Sequence, residues 1–361
     1  MRVDKFSYDL PQERIARHPL SERDAARILL LSRGSGRWTD GHRVRDLPGL
    51  LRGDELIIVN NARVFPARLW GRRRGVHAAR PGRRRRVRKE HLSAAIEVFL
   101  VRRLDDAGTW QALVRPGRKV GTGEILDFGQ GELQAEVVAR GSYGLRTLRF
   151  ECKQDFDQVV ERLGRVPLPP YIDRADEPGD RERYQTVFAR RGSAVAAPTA
   201  GMHFTRATLA ALERRGCRVV EITLEVGYGT FQPVRTAAVE NHRMYTEAYE
   251  ISPDAAGAIE QARGEGRPVL AVGTTVVRAL EDCATRQGRI VAGAAEAELY
   301  IYPGYEFKVV NQLLTNFHLP RSSLLILVCA FAGRENVLRA YGHAMEKTYR
   351  FYSYGDCMLI R

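Results

Sequence analysis

The sequence predicts an α/β protein: a discontinuous α/β domain with an inserted all-β domain in the form of a small barrel. Between residues 62 and 152, apolar and polar residues alternate, and glycine-rich turns at 121–123, 129–131 and 141–144 separate the runs. That period of two is typical of half-buried strands. From residue 155 onward, short apolar runs alternate with stretches of helical periodicity, the pattern of α/β folds.

The apolar run at 55–59 precedes the barrel region and is continuous rather than alternating. A continuous run suits a strand that is buried on both faces of a sheet, so we expect it in the α/β domain. The predicted domains are therefore 1–61 with 153–361 for the α/β domain, and 62–152 for the inserted barrel. Further strands are expected at 218–226 and near Val269, Leu299 and Leu313, with helices from Pro253, Leu324 and Glu335.

Composition limits the class of protein. The chain has 361 residues, no apolar run of the roughly 20 residues that a membrane helix needs, and no signal-peptide pattern at its N-terminus. Its five cysteines are scattered without metal-ligand spacing, which predicts free thiols in a reducing cytoplasm and no metal site.

The formal net charge of +14 suggests a polyanionic partner, but the charge is unevenly distributed. Residues 72–91 hold ten Lys and Arg against one acid, Glu90. A basic segment of this kind is either a solvated insertion or a contact for RNA phosphates, and composition does not distinguish the two.

Three segments share one pattern, in which an apolar strand leads through a short polar turn into a helix. Thr205 and Ser322 can cap the helices that follow the first and third turns. Ligands of α/β sheets bind at such strand ends, where helix N-termini offer free N–H groups, so we expect the turns to line one pocket. The turns comprise Pro198, Thr199, Ala200, Gly201, Met202 and His203; Gly273, Thr274 and Thr275; and Asn316, Phe317 and His318.

These turns, with further blocks in a fixed order, closely resemble the S-adenosylmethionine:tRNA ribosyltransferase-isomerase (QueA) family of the queuosine pathway. The further blocks are FSYDLP at 6–11, GDEL at 53–56, PLPPYI at 167–172, YPGY at 302–305 and YSYGD at 352–356. The resemblance covers nearly the whole chain. Two positions depart from it: members usually carry Thr at the position of Ala62 and often His at that of Glu225.

The resemblance implies a transferase that moves the ribosyl moiety of S-adenosylmethionine onto 7-aminomethyl-7-deazaguanine at the tRNA wobble position and isomerises it. Adenine and methionine are released, and the product is epoxyqueuosine-tRNA. S-adenosylmethionine is then a substrate, and no permanently bound cofactor is expected. The resemblance also implies a monomer that works on tRNA in the cytoplasm without a membrane partner.

The chemistry requires a base for the 5′ proton beside the sulfonium and a proton donor near adenine. His203 and His318 are the candidate acid–base groups because an imidazole titrates near neutral pH. The alternative for His203 is a hydrogen bond within its own turn, and for His318 it is packing under the following helix. Glu225 is a third candidate, as a partner for a ribose hydroxyl or for the sulfonium charge.

Arg278 follows the second turn and could bind the methionine carboxylate through its planar guanidinium. The alternative is a surface ion pair with Glu281 or Asp282. The remaining predicted substrate-binding residues are Tyr228, Gly229 and Thr230, whose aromatic ring could stack on adenine or face the sulfonium, and Tyr171 in the proline-rich segment.

Two other functions compete with this reading. A different S-adenosylmethionine-dependent tRNA-modifying enzyme, such as a doubly wound methyltransferase, predicts a G-x-G-x-x-G turn, which the sequence lacks. A non-catalytic RNA-binding protein predicts aromatic residues among its basic ones for base stacking. The basic segment contains only His77 and His91 as rings, which favours phosphate contact at most.

Overall fold

The computed structural model describes residues 1–75, 94–105, 108–227 and 234–361, so most of the basic segment at 72–91 lies outside the described residues. The chain forms two compact units. The sheet unit comprises Met1–Val64, Leu168–Ala175 and Glu182–Arg361, and the barrel unit comprises Phe65–Pro167 and Asp176–Arg181. This grouping places residues 153–167 with the barrel, whereas the predicted ranges put them in the α/β domain.

The elements of the described residues are numbered in chain order. The strands are β1 Arg27–Leu31, β2 Trp38–Arg43, β3 Leu56–Asn60, β4 Ala62–Val64, β5 Arg68–Arg73, β6 Ile96–Arg103, β7 Thr109–Arg115, β8 Ile125–Phe128, β9 Leu133–Arg140, β10 Leu145–Cys152, β11 Arg191–Ala194, β12 Arg218–Leu224, β13 Glu247–Ile251, β14 Val269–Val272, β15 Gly293–Ala297, β16 Gln312–Asn316 and β17 Cys357–Ile360. The helices are α1 Leu47–Leu50, α2 Phe156–Leu163, α3 Asp180–Arg183, α4 Arg206–Arg214, α5 Pro253–Gly264, α6 Thr274–Gln287, α7 Ser323–Ala332 and α8 Arg334–Glu346.

A large mixed sheet organises the sheet unit, with the strand order β15-β13-β12-β3-β14-β16-β17-β1-β2. Its central strands β12, β3, β14 and β16 run parallel to one another, so their carboxyl ends share one edge. The apolar run predicted to join this sheet forms β3, one of these four central strands. Leu56 and Ile58 pack in one buried cluster and Ile57 and Val59 in another, which explains why the run does not alternate.

The barrel unit contains a closed antiparallel barrel with the strand order β10-β7-β6-β5-β8-β9. Along β9, the side chains of Leu133, Ala135 and Val137 are buried while the residues between them are partly exposed. Alternation of this kind fills the inside of a barrel from one face of each strand. The predicted fold class, an α/β protein with an inserted small barrel, is confirmed.

Side-chain caps begin three helices of the sheet unit. Thr205 accepts a hydrogen bond from the Thr208 N–H, Ser252 from Ala255 and Ser322 from Leu325. Each cap satisfies an N–H group that the helix leaves unpaired, a contribution of about 1 kcal/mol.

The strand expected near Leu299 was misplaced. The strand is β15, which ends at Ala297, because the N–H groups of Glu298 and Leu299 donate to the buried Asp282 carboxylate instead of a neighbouring strand. Within the described parts of the chain, no helix is both long and apolar enough to cross a membrane.

Candidate active site

One cavity of the sheet unit is lined by residues from all three turns that the sequence singled out. Its volume is about 670 Å³, including its open mouth. Among the predicted substrate-binding and catalytic residues, those that line it are Tyr171, Pro198, Thr199, Ala200, Gly273, Thr274, Thr275, Asn316, Phe317 and His318. Lining residues that were not predicted are Ala197, Val226, Thr315, Leu319, Ser322, Leu324, Tyr352 and Ser353.

The parallel strands explain why these turns meet. Strands β14 and β16 are neighbours, and each ends immediately before or within one of the turns. Gly273 follows β14 with a φ of 96°, a conformation that glycine adopts without steric cost. Its N–H donates to the Leu314 carbonyl at 2.8 Å, which ties the end of β14 to β16. Helix α6 then begins at Thr274 with its N-terminus at the cavity.

The lining of the cavity is uncharged. None of the described residues that line it is Asp, Glu, Lys or Arg. Its polar groups are instead the hydroxyl, amide and imidazole side chains of Thr, Ser, Tyr, Asn and His. Such a lining suits a neutral ligand portion with hydrogen-bonding groups, because burial of a charge there would lack a counter-charge.

His203 does not line this cavity but lies buried behind it. Its Nε2 is 3.1 Å from Nδ2 of Asn316, whose Nδ2 also donates to the Tyr352 carbonyl at 2.9 Å. The amide nitrogen is therefore the donor in both contacts, and His203 Nε2 accepts. Burial lowers the pKa of His203 to about 4, so this imidazole is neutral at physiological pH.

His318 does line the cavity, and its Nε2 is 2.8 Å from the Thr315 hydroxyl. Its backbone N–H donates to the Tyr341 hydroxyl at 3.0 Å, which holds the turn in place. Burial lowers the pKa of His318 to about 3. Both imidazoles are therefore neutral, not cationic, at neutral pH in the free protein, and their acid–base roles stay a prediction.

The structure does not bring Glu225 to the cavity. Glu225 follows β12, is partly buried, and its backbone N–H donates to the Ala248 carbonyl at 2.9 Å. It is absent from the described lining. Tyr228, Gly229 and Thr230 lie outside the described residues, so their predicted contacts with the substrate stay a prediction.

Arg278 is occupied by other partners in this structure. Its Nη1 forms a buried ion pair with Glu247 at 2.5 Å, and its other two guanidinium nitrogens donate to the carbonyls of Tyr245, Ala297 and Leu299. With every guanidinium nitrogen engaged and the side chain 6% exposed, the geometry argues against the predicted role as anchor of a methionine carboxylate. The pair instead fixes α6 against β13 and the end of β15.

Neither of the alternative ion-pair partners predicted for Arg278, Glu281 and Asp282, pairs with it. Its partner is Glu247. Glu281 accepts hydrogen bonds from the backbone N–H groups of 308–310, and Asp282 from those of 298–299. Both carboxylates thus hold a loop that follows α6 in sequence. Their spacing along α6 suggested an ion pair with Arg278, but the actual partner, Glu247, lies on strand β13.

Gly201 and Met202 belong to the first turn but are buried and do not line the cavity. A Cβ atom at Gly201 would come within 2.8 Å of the Phe188 ring and 2.9 Å of Thr186. The glycine is therefore needed for close packing of the turn, a structural role rather than contact with a ligand.

The sequence-based residue list missed the loop at 352–353. Tyr352 and Ser353 line the cavity, and Tyr171 contacts both of them. The Tyr171 hydroxyl is 2.5 Å from Ser353 Oγ, and the centroids of the Tyr171 and Tyr352 rings are 4.3 Å apart. Buried Asp356 accepts from the N–H groups of Arg27 and Arg350, which anchors the loop. The motif at 352–356 was the available signal.

Among the described residues, no group of three or more His, Cys, Asp or Glu is arranged to hold a metal ion.

Comparison with known proteins identifies the family. A family model described as "Queuosine biosynthesis protein" matches residues 3–360. The chain belongs to this family. A relative from Solibacter usitatus is 51% identical over 361 residues, and one from Moorella thermoacetica is 46% identical over 361 residues; each match covers 100% of both chains. Both are named S-adenosylmethionine:tRNA ribosyltransferase-isomerase. The family inferred from the sequence motifs is confirmed.

A solved structure supports the same assignment at the level of the fold. The crystal structure of S-adenosylmethionine tRNA ribosyltransferase from Thermotoga maritima matches with a TM-score of 0.54 and 32% identity. The match covers 99% of this chain and 100% of that chain, so it includes both the sheet unit and the barrel unit.

Proposed function

We propose that this protein is an S-adenosylmethionine:tRNA ribosyltransferase-isomerase. It transfers the ribosyl moiety of S-adenosylmethionine to 7-aminomethyl-7-deazaguanine at the tRNA wobble position, isomerises it, and releases adenine and methionine. The observation that carries this proposal is the full-length similarity to relatives of that name at up to 51% identity. The cavity at the ends of β14 and β16 supports it, because strand ends of this kind hold ligands in α/β sheets.

The cavity residues take different parts in this reaction. The reaction begins with removal of the 5′ proton beside the sulfonium, which a largely buried, dry site favours. We propose His318, which lines the cavity with a neutral imidazole, as the closer candidate for proton removal. His203 is proposed to act through Asn316, whose amide it holds. The lining residues of the three turns and Tyr171 are proposed to bind substrate.

The partners follow from the reaction. The wobble base lies in a single-stranded loop, so a nucleotide there can be turned out into a pocket at modest cost. We propose that the protein acts in the cytoplasm as a monomer with tRNA and S-adenosylmethionine as its substrates. Size-exclusion chromatography with light scattering tests the oligomeric state, and a dimer mass would contradict it.

The decisive experiment combines purified protein, S-adenosylmethionine and tRNA that carries 7-aminomethyl-7-deazaguanine. We expect adenine and methionine to appear in equal amounts with epoxyqueuosine, measured by chromatography and nucleoside mass spectrometry. The matched control is the same tRNA with guanine at the wobble position, which should give no adenine. A non-catalytic RNA-binding protein would bind tRNA without adenine release, and a methyltransferase would form S-adenosylhomocysteine.

A further inference from the structure

Three buried polar atoms of the cavity residues have no hydrogen-bond partner among the described residues. They are the Thr275 hydroxyl, the Asn316 Oδ1 atom and the Tyr352 hydroxyl. The residues are 8%, 2% and 6% exposed, respectively, so bulk water does not satisfy these atoms well. Buried polar groups of folded proteins are nearly always paired, so three unpaired atoms on residues that line one cavity indicate a ligand that completes them.

Tyr352 has a backbone conformation that a bulky residue rarely adopts, with φ at 71°. Its N–H donates to the Phe317 carbonyl at 3.2 Å, and its carbonyl accepts from Asn316 Nδ2 at 2.9 Å. The Tyr171 ring packs on it from one side. Strained conformations of this kind persist where the surroundings enforce them, and they concentrate at functional sites.

The hydrogen-bonding character of the three atoms is determined by their neighbours. Asn316 Nδ2 is used by the Tyr352 carbonyl and by His203, so Asn316 offers the cavity only its acceptor oxygen. The two hydroxyls can each donate and accept. One acceptor and two hydroxyls, in a lining without charged side chains, match the hydroxyl and amino groups of an adenosyl moiety. The described lining offers no charged side chain to the ammonium and carboxylate of a methionyl moiety.

We propose that Tyr352 binds the ribosyl donor directly, and that its hydroxyl, with Thr275 and Asn316, hydrogen-bonds the adenosyl portion of S-adenosylmethionine. The charged methionine end lies outside this set of contacts. This inference rests on the proposed function, because it takes S-adenosylmethionine as the donor. It assigns a role to a residue that neither the strand-end turns nor the candidate acid–base groups include.

The test is the variant Tyr352→Phe, which removes only the hydroxyl. Because that hydroxyl has no hydrogen-bond partner among the described residues, the variant should melt at or above the wild-type Tm. Calorimetric titration should show that it binds S-adenosylmethionine and adenosine more weakly than wild type by the same factor, about 10-fold for each. Thr275→Val should behave in the same way. Tyr249→Phe is the matched control: its buried hydroxyl donates to Asp282, so the change should lower Tm and leave binding intact.

Titration with 2′,3′-dideoxyadenosine locates the contact within the adenosyl group. If Tyr352 binds a ribose hydroxyl, the weakening caused by Tyr352→Phe disappears with this compound, and if it binds adenine, the weakening persists. Wild-type protein that binds S-adenosylmethionine but not adenosine would overturn the inference, as would a Tyr352→Phe variant with wild-type affinity. Wild-type protein without affinity for S-adenosylmethionine would overturn the proposed function itself.

Discussion

Thr275 and Arg278 lie within one turn of each other on helix α6 but belong to two different polar regions. The regions differ in whether the buried polar atoms have hydrogen-bond partners. Thr275 belongs to the uncharged cavity, where its hydroxyl has no partner among the described residues. Arg278 belongs to a charged cluster, where Glu247 and three carbonyls use all of its guanidinium nitrogens. A sequence pattern marked both as site residues.

The two regions show how a polar group that stabilises the fold can be distinguished from one that binds a ligand. A buried ion pair whose partners are all internal contributes to holding elements together, and removal of one partner is costly. A buried polar atom without a partner costs stability unless a ligand satisfies it. The two regions should therefore respond in opposite ways to substitution: one in the free energy of unfolding, the other in affinity.

The largest expected effect is on the charged cluster. Arg278→Ala leaves the buried Glu247 carboxylate without its counter-charge, so the free energy of unfolding should fall by about 3–5 kcal/mol in urea denaturation. The control Arg286→Ala removes a half-exposed pair with Asp282 and should cost about 1 kcal/mol or less. Unchanged stability together with weaker binding of S-adenosylmethionine would restore Arg278 as the carboxylate anchor.

Acid should lower the free energy of unfolding through the two buried histidines near the cavity. The pKa values of His203 and His318 in the folded protein are about 4 and about 3, below the ordinary 6.5. Below about pH 6.5, the unfolded chain therefore binds more protons than the folded protein. The contribution of the two neutral histidines to the free energy of unfolding is complete above that pH and is lost as the pH falls toward their folded pKa values. The slope approaches about 1.4 kcal/mol per pH unit for each histidine.

Urea denaturation at several pH values between about 7 and about 5 measures this slope. A variant with both histidines replaced by Gln should show a flatter profile of the free energy of unfolding against pH. An identical pH profile in the double variant would mean that other groups carry the acid sensitivity.

Substitution of His203 separates positioning from acid–base chemistry. A glutamine can accept the hydrogen bond from Asn316 Nδ2, so His203→Gln should keep turnover within about 10-fold of wild type, and His203→Ala should lose more. Removal of an acid–base group typically costs about 100-fold or more. Measurement of kcat and KM for both variants decides between the roles: a loss of that larger size in His203→Gln would make His203 the acid–base group.

The smallest effect compares two threonines of the same cavity. Thr315 shares a hydrogen bond with His318 at 2.8 Å, so Thr315→Val should cost about 1 kcal/mol of unfolding free energy. Thr275→Val removes a hydroxyl without a hydrogen-bond partner in the described parts of the chain and should change stability by less than about 0.5 kcal/mol. Thermal or urea denaturation of the two variants side by side checks this, and equal losses would show that Thr275 has a partner in the free protein.

The features of the structure that depend on neighbouring residues were predicted best from the sequence. The caps at Thr205, Ser252 and Ser322, the alternation of β9 and the buried run of β3 all depend on neighbours within a few residues or on one face of a strand. The pattern of the three turns also predicted that they line one cavity, because parallel strands bring their carboxyl ends to a shared edge.

The sequence by itself determined the fold class, the family and the turns that line the cavity, since periodicity, capping residues and motif order are properties of the chain. Only the tertiary structure decided which side chains meet. Arg278 of α6 pairs with Glu247 of β13. His203 contacts Asn316, which is 113 positions later in the sequence, and Tyr352 lines the cavity from the loop before β17. Those contacts depend on how distant segments pack, and local propensity carries no information about packing partners far along the chain.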